Sequence, residues 1–545
     1  MSAAIATLRR HGALAALLAC AAPFILAFVR QPGLASVGDD SASYLVLAQH
    51  FAGLGTPAAA WAPHFGHFPP LLPLLLAASG AASDFARAHA VVGWCAVAAL
   101  ASLYAHAWSV HRRRDVAIAL PLAFLLLPTA WIGAQGILSE PLFLALSVAA
   151  LAWHQGRLAR PDARVRDALV LGVLLGAALL TRLAGVALAA GCIAAFVISA
   201  ARARRFEWRL PLAALLPAAA ALALWFALRP SLPSDPYQRA THAIVATWLA
   251  NPLEVAGVSA RQLFDGWVAT FTADADVSLG VRLLLAALGG LGLAGAARAA
   301  WAARADGAYT LMATALALAW VFDSENMRRL LHPLVPLLLL HAGEALAAIL
   351  ARAGRTRYAG AALGIAGALV AIVALPALVL IASRADDTAP VNAGLAPSRA
   401  GMTAYYTVID GGRAAALAER HASVLGGLEA LAHATPPGAR VFWMRPEYVA
   451  LLGGRVGVPW FYDWDARRLG AEALAGNVEY LVVARLHKSD LAGASGIPAQ
   501  VLRGVDEWTR PVLVLPREGP RAGDFVLLKV DRAALEAWLA RAPVA

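Results

Sequence analysis

The sequence predicts an all-α polytopic membrane protein of about eleven transmembrane helices, followed by a C-terminal periplasmic α/β domain. Three observations carry that expectation. Of 545 residues, 60% are hydrophobic and only 14% charged, where a soluble globular chain has about a quarter charged. Apolar stretches recur from the N-terminus to about residue 381, and about 20 mostly apolar residues in a helix cross the hydrocarbon core of a bilayer. From Arg384 onward the apolar runs shorten, Gly and Pro breaks multiply, and helical and strand patterns alternate, as they do in layered α/β domains.

The spans are expected at 12–30, 88–110, 116–133, 140–156, 168–181, 184–200, 210–228, 279–298, 308–322, 331–350 and 359–381. Arg9 and Arg10 ahead of the first run imitate a signal peptide, and Leu17-Leu18-Ala19-Cys20 resembles a lipoprotein cleavage site. The apolar run continues past Cys20, so an uncleaved first span is expected. With residues 1–11 inside, the inside segments hold 18 Lys/Arg in 53 residues, against about eight in roughly 125 outside. The positive-inside rule therefore fixes a cytoplasmic N-terminus, and an odd number of spans puts the tail outside, in a bacterium the periplasm of the inner membrane. The expected division is a transmembrane domain, 1–383, with outside loops 31–87 and 229–278, and a periplasmic domain, 384–545. In the second loop Trp248, Trp267 and Phe271 are expected as interfacial anchors. In the tail, Ala414–Ala432 reads as a helix and Arg440–Met444, Glu479–Ala484 and Phe525–Val530 as strands.

The net charge of +11 does not indicate nucleic acid. Its arginines stand in short clusters between apolar spans, such as Arg112-Arg113-Arg114, with no interleaved aromatic residues to stack bases. Cys20, Cys95 and Cys192 all lie inside apolar runs, which is no disulfide framework.

The residues that could carry chemistry fall on the outside face. Asp39 and Asp40 open a segment in which Tyr44, Leu47, Phe51 and Leu54 share one helical face, as in an amphipathic helix lying in the membrane interface. An aspartate there is either a helix N-cap or a carboxylate beside apolar surface, whose raised pKa suits a general base. Glu140, in Ser139-Glu140-Pro141, is either part of a well-formed helix start or a second acid at the same face. His64 and His67 are exposed loop histidines, or ligands for a phosphate or a divalent ion. A metal held by Asp40, Glu140 and His64 is one use of these groups, although their spacing gives no metal signature. Arg182, Arg328 and Arg329 lie outside, against the charge rule; they are either snorkelling and loop charges or groups that neutralise a phosphate. The acids suit activation of a hydroxyl and the arginines suit a phosphate leaving group.

Over roughly residues 8–350 the chain resembles the GT-C class of polyprenyl-phosphate-sugar-dependent glycosyltransferases, which includes protein O-mannosyltransferases and the bacterial aminoarabinose transferases that modify lipid A. The resemblance is carried, in the family's order, by Asp40 to Tyr44-Leu45-Val46-Leu47-Ala48, Phe68-Pro69-Pro70-Leu71, Leu138-Ser139-Glu140-Pro141-Leu142-Phe143, Thr181-Arg182-Leu183-Ala184-Gly185 and Arg328-Arg329-Leu330-Leu331-His332-Pro333. Two positions depart from it. Ser41 stands where many relatives have Glu, the extra acid being Asp39 instead, and Phe68, preceded by His67, stands before the Pro-Pro pair.

The resemblance implies an inverting transfer from a polyprenyl-phosphate-linked sugar to an acceptor hydroxyl. Asp40 would be the general base, Glu140 an organiser of the site or of a metal, and Arg182 and Arg329 phosphate contacts; Tyr44, His67 and Arg328 would complete the donor side. The acceptor is left open among lipid A, a polysaccharide, a lipid and a protein, with membrane lipids as surroundings. Two other classes compete: a noncatalytic envelope-assembly scaffold, and a lipid or sugar transporter. The transporter predicts charged residues within the spans, and the spans are read as nearly free of them.

Overall fold

The computed structural model describes residues 2–31, 35–55, 68–160, 162–204, 207–229, 236–273, 277–320, 324–354, 359–392, 414–460, 464–484, 486, 502–519 and 522–541. Each expected span coincides with a helix. These are α1 (Ser2–Phe28), α4 (Phe85–His111), α7 (Glu140–Trp153), α8 (Val165–Thr181), α9 (Gly185–Ala203), α10 (Arg209–Leu228), α13 (Leu279–Trp301), α14 (Ala305–Ala319), α16 (Val335–Arg352) and α17 (Ala359–Asn392). The third span is the exception. It is a pair, α5 (Arg114–Leu125) and α6 (Pro128–Gln135), bent by 62°. The break is where Pro128 would withhold an amide from a continuing helix.

Among the described residues, α4, α9, α10, α13 and α16 are long and apolar enough to cross a membrane alone, and the bent pair makes a sixth. The outer faces match that reading: Leu212, Leu216 and Leu224 on α10, and Ile372, Leu375 and Val379 on α17, are exposed. An aqueous surface would not carry such a belt. Because lipid tails are as apolar as leucine, small residues let these helices associate through close packing. Gly172 and Gly176 of α8 lie against α10, where a Cβ at Gly172 would meet the Ala214 carbonyl oxygen at 2.5 Å.

The remaining helices of this part depart from the sequence expectation. Helix α2 (Asp39–Phe51) does not lie in the interface with one apolar face. Its residues Ser41 to Ala48 are all buried, because α3 (Leu71–Ala78) packs on one side of it and the C-terminal domain on another. In the second loop, α11 (Pro236–Ala250) and α12 (Pro252–Thr272) are helices, and two of the expected anchors are core residues. Trp267 and Phe271 are buried and meet edge to face, with ring centroids 4.8 Å apart. The Trp267 indole donates to the Leu285 carbonyl at 2.8 Å, so its one polar atom is satisfied inside the bundle. Trp248 donates in the same way to Ala319. Helix α12 supports α15 (Ser324–Leu331), the short helix that carries Arg328 and Arg329.

The tail forms a five-stranded mixed sheet of order β2-β1-β3-β5-β4. Its strands are β1 (Arg440–Trp443), β2 (Val456–Pro459), β3 (Tyr480–Ala484), β4 (Thr509–Leu515) and β5 (Phe525–Val530), with β1 parallel to β2 and β3, and β5 antiparallel to β3 and β4. Helices α18 (Ala414–Ala434), α19 (Pro446–Gly453), α20 (Ala466–Ala475) and α21 (Arg532–Arg541) flank it. One apolar cluster runs from Tyr44, Leu45 and Leu47 of α2 to Tyr448 and Val449 of α19 and on to Val441 and Phe525 of the sheet. The sheet domain and the acidic loop thus share a core.

Candidate active site

The site is assembled by four chain segments at one end of the bundle, one of them α15 with Arg329. Asp39 and Asp40 are the first residues of α2, Glu140 is the first residue of α7, and Arg182 ends α8 in an extended conformation before α9 begins. The chain on either side of Gly38 is held to the α6–α7 junction: Ser36 donates its amide to the Gln135 carbonyl, and the Ile137 amide donates to the Ser41 hydroxyl at 3.1 Å. These two bonds set Asp40 beside Glu140 across about a hundred residues of sequence.

Arg329 bridges the two acids. Its Nη2 donates to Asp40 Oδ2 at 2.5 Å and its Nε to Glu140 Oε1 at 2.7 Å. Arg182 meets the same Glu140 Oε1 at 2.7 Å and also donates to the Ser139 hydroxyl. Ser139 in turn accepts from the Tyr44 phenol at 2.9 Å. The result is a connected chain from Tyr44 through Ser139, Arg182, Glu140 and Arg329 to Asp40. Glu140 is 2% exposed, whereas Arg329 and Asp40 are 27% and 32% exposed. Charge buried to that degree persists only when paired and hydrogen-bonded. Glu140 Oε2 is buried and meets no hydrogen-bonding group among the described residues.

A cavity of about 360 Å³ opens onto this chain, lined by Asp39, Asp40, Glu140, Arg328, Arg329 and His332 among others. Arg182 and Tyr44 stand behind it, holding Glu140 and Ser139 from the rear. Burial raises the Tyr44 phenol well above its ordinary pKa, so it remains a neutral donor.

The expected capping roles are not the ones adopted. Gly38, not an aspartate, occupies the cap position of α2, and the Asp39 carboxylate instead pairs with Arg445 of the C-terminal domain. Ser139 does occupy the cap position of α7, with Pro141 in its first turn, but it makes no side-chain cap bond; its hydroxyl serves Tyr44 and Arg182. His64 and His67 lie outside the described residues.

His64, the third expected metal ligand, lies outside the described residues. Asp40 and Glu140 both face Arg329, a cation where a dication would need to sit, and no group of three His, Cys, Asp or Glu side chains suited to a metal occurs among the described residues.

Several residues of consequence were not among the site residues expected from the sequence. Gly266 of α12 lies against α15: a Cβ there would meet Met327 Cβ at 2.6 Å and the Arg328 amide nitrogen at 3.0 Å. His332, buried against Thr129 and Phe124, forms part of the cavity wall. At the other end of the bundle a second buried network joins His106, Arg304, Asp306, His341 and Glu344. Glu344 lies well inside α16, so the spans are less free of charge than the sequence suggests. A lone acid in an apolar run is easily passed over, and only the fold reveals its partners.

No protein-family model matches the sequence, and no curated protein matches it. In three dimensions the chain is similar to ArnT from Cupriavidus metallidurans bound to undecaprenyl phosphate, with a TM-score of 0.51, 16% identity and coverage of 95% of this chain and 98% of that chain. The apo state of the same protein gives a TM-score of 0.50 at 15% identity, covering 96% and 98%. The archaeal oligosaccharyltransferase AglB from Archaeoglobus fulgidus, in complex with an inhibitory peptide and a dolichol-phosphate, gives 0.49 at 14% identity, covering 87% of this chain and 69% of that chain. The chain has the fold of ArnT along nearly its whole length.

Proposed function

We propose that the protein is a membrane glycosyltransferase that moves a sugar from a polyprenyl-phosphate donor to an acceptor hydroxyl, with inversion, at the periplasmic face of the inner membrane. The observation that carries this reading is the convergence of Asp40, Glu140 and Arg329 on one cavity at the end of an apolar helix bundle. The likeness in fold to a protein crystallised with undecaprenyl phosphate supports the lipid-linked donor.

In this mechanism the Asp40 carboxylate takes the acceptor's hydroxyl proton as the oxygen attacks the anomeric carbon. The bond from that carbon to the phosphate oxygen breaks on the opposite face, and the polyprenyl phosphate leaves with the electron pair. Arg329 and Arg328, which line the cavity, receive the phosphate, since guanidinium N–H groups match phosphate oxygens in pairs. Arg182 acts from behind by fixing Glu140. The free Oε2 of Glu140 is the acceptor for a hydroxyl of the bound sugar.

Asp40 is tied to Arg329 in this structure, so its Oδ2 is occupied. Phosphate binding at Arg329 draws the guanidinium away from Asp40 and frees that oxygen for the acceptor's proton. The base is thereby released when the donor is in place.

The test is deletion of the gene, followed by mass spectrometry of envelope glycans and lipid A, with complementation by the wild-type chain and by Asp40→Asn. An unmodified acceptor should accumulate in the deletion strain and persist with Asp40→Asn at equal protein level. Full modification by Asp40→Asn would remove Asp40 as the base and favour a scaffold.

A further inference from the structure

Two charged residues of the sheet domain have no part in the mechanism above, yet they reach its acidic rim. Arg445 immediately precedes α19 and Glu447 lies in its first turn. The Arg445 guanidinium pairs with the carboxylate of Asp39, and Glu447, which is 2% exposed, hydrogen-bonds the same carboxylate. One residue further, the Tyr448 hydroxyl donates to the Val37 carbonyl at 3.0 Å, on the segment leading into α2. Asp39 itself lines the cavity, next to Asp40. Arg445, Glu447 and Tyr448, on a domain some four hundred residues away in sequence, therefore grip the first turn of the helix that carries the base and the segment leading into it.

We infer that Arg445 and Glu447 are positioning residues for Asp40: the C-terminal domain clamps Asp39 and so fixes the first turn of α2 at the cavity. The inference rests on the proposed function for its catalytic meaning, but the clamp itself is a structural claim that stands or falls separately. Two carboxyl groups in hydrogen-bonding contact share the contact only if one keeps its proton. Burial and the nearby Asp39 charge hold the Glu447 proton well above the ordinary glutamate range, opposed by Arg445. Asp39 of α2 and Arg445 are the charged groups acting on Glu447. The other elements packed on α19 join it through one apolar cluster that includes Leu428 of α18, Val441 of β1 and Val456 of β2, while Arg455 at the far end of α19 is bonded to Thr435.

The sign of the pH response follows. A carboxyl whose pKa is raised by folding loses its proton at high pH against a neighbouring carboxylate, so the clamp is intact at lower pH and weakens as pH rises through that raised value. Replacing Glu447 by Gln keeps a hydrogen-bond donor and removes the titration.

The experiment is hydrogen–deuterium exchange of the full chain in nanodiscs, without any donor, for the wild type, Arg445→Gln, Arg445→Lys and Glu447→Gln. Arg445→Gln should raise exchange across Asp39 to Ala48 several-fold, with the peptides of α7, α8 and β5 unchanged, and Arg445→Lys should restore part of the protection. After correction for intrinsic exchange, wild-type α2 protection should fall as pH rises, and Glu447→Gln should be flat. Unchanged α2 exchange in Arg445→Gln overturns the inference. If that variant loosens the whole chain, the pH series decides: equal pH responses of wild type and Glu447→Gln overturn it. In cells Arg445→Gln should lower modification to a level between the wild type and Asp40→Asn. Because the exchange measurement needs no substrate, a failed clamp is distinguishable from a failed transferase reading.

Discussion

Among the described residues the helix bundle buries an ionic network at each end, and the two are built differently. At one end Asp40, Arg329, Glu140 and Arg182 are contributed by the first turns of α2 and α7, the residue after α8 and the short helix α15, and the network borders a cavity. At the other end Arg304, Asp306, His106, His341 and Glu344 come from α4, from α16, and from the start of α14 with the residue before it. There the Asp306, His106 and His341 side chains are at most 2% exposed. An ion pair that opens to a cavity can exchange one partner for a ligand. A pair closed on all sides can only fix the helices that carry it, because separating buried charges leaves each without compensation. The first network is suited to chemistry and the second to helix register.

Four substitutions test that division. Asp40→Asn should lower the turnover number by about 10²–10⁴-fold, the range for loss of a general base, with the melting temperature in detergent nearly unchanged; a normal rate would break the assignment of the first network. Asp306→Asn should do the reverse. It leaves Arg304 and His106 short of a partner and should cost about 3–5 kcal/mol of stability, while transfer per folded molecule stays at the wild-type level. A large loss of turnover in well-folded Asp306→Asn protein would show that the distant end takes part in the reaction.

Gly266→Val tests how finely the cavity end is set. The added side chain must displace Met327 and the backbone of Arg328, and a shift of about 1 Å can cost about 10²-fold in rate. Undecaprenyl phosphate binding, measured on purified protein, should weaken along with it, and the second network should keep the chain folded. Tyr44→Phe is the mildest change. It removes one buried donor to Ser139, worth about 0.5–1.5 kcal/mol, and a small fall in melting temperature with near-normal turnover is expected. A loss of turnover as large as that of Asp40→Asn would place Tyr44 in the chemistry rather than behind it.

Legibility from the sequence divided along physical lines. The spans were readable because crossing a bilayer demands long apolar runs, and α4, α9, α10, α13 and α16 show them. The strand Phe525–Val530 was readable from its apolar run between turn residues, whereas β2 and β4 passed unnoticed. Asp40, Glu140, Arg182 and Arg329 were singled out because charge next to an apolar span end is rare. Their pairing was not readable, since nothing local says that Arg329 meets both acids. Trp267 and Phe271 were misplaced at the interface because an aromatic residue in a loop between spans has the same local pattern whether it faces headgroups or the bundle. Helix α2 was misread as interfacial for a similar reason: one apolar face is visible in sequence, but the domain that buries the other sides is about four hundred residues away.

The sequence by itself determined that this chain is a bundle of apolar helices with a small α/β tail, and which of its few charges stand at span ends, because the cost of charge and free backbone groups in hydrocarbon is imposed residue by residue. Only the tertiary structure decided which charges compensate one another. Arg329 between Asp40 and Glu140, Arg445 on Asp39, and Glu344 within the distant network are contacts between segments remote in the chain. Such pairings depend on how helices pack, and packing is set by the shapes of many small residues together rather than by any one stretch.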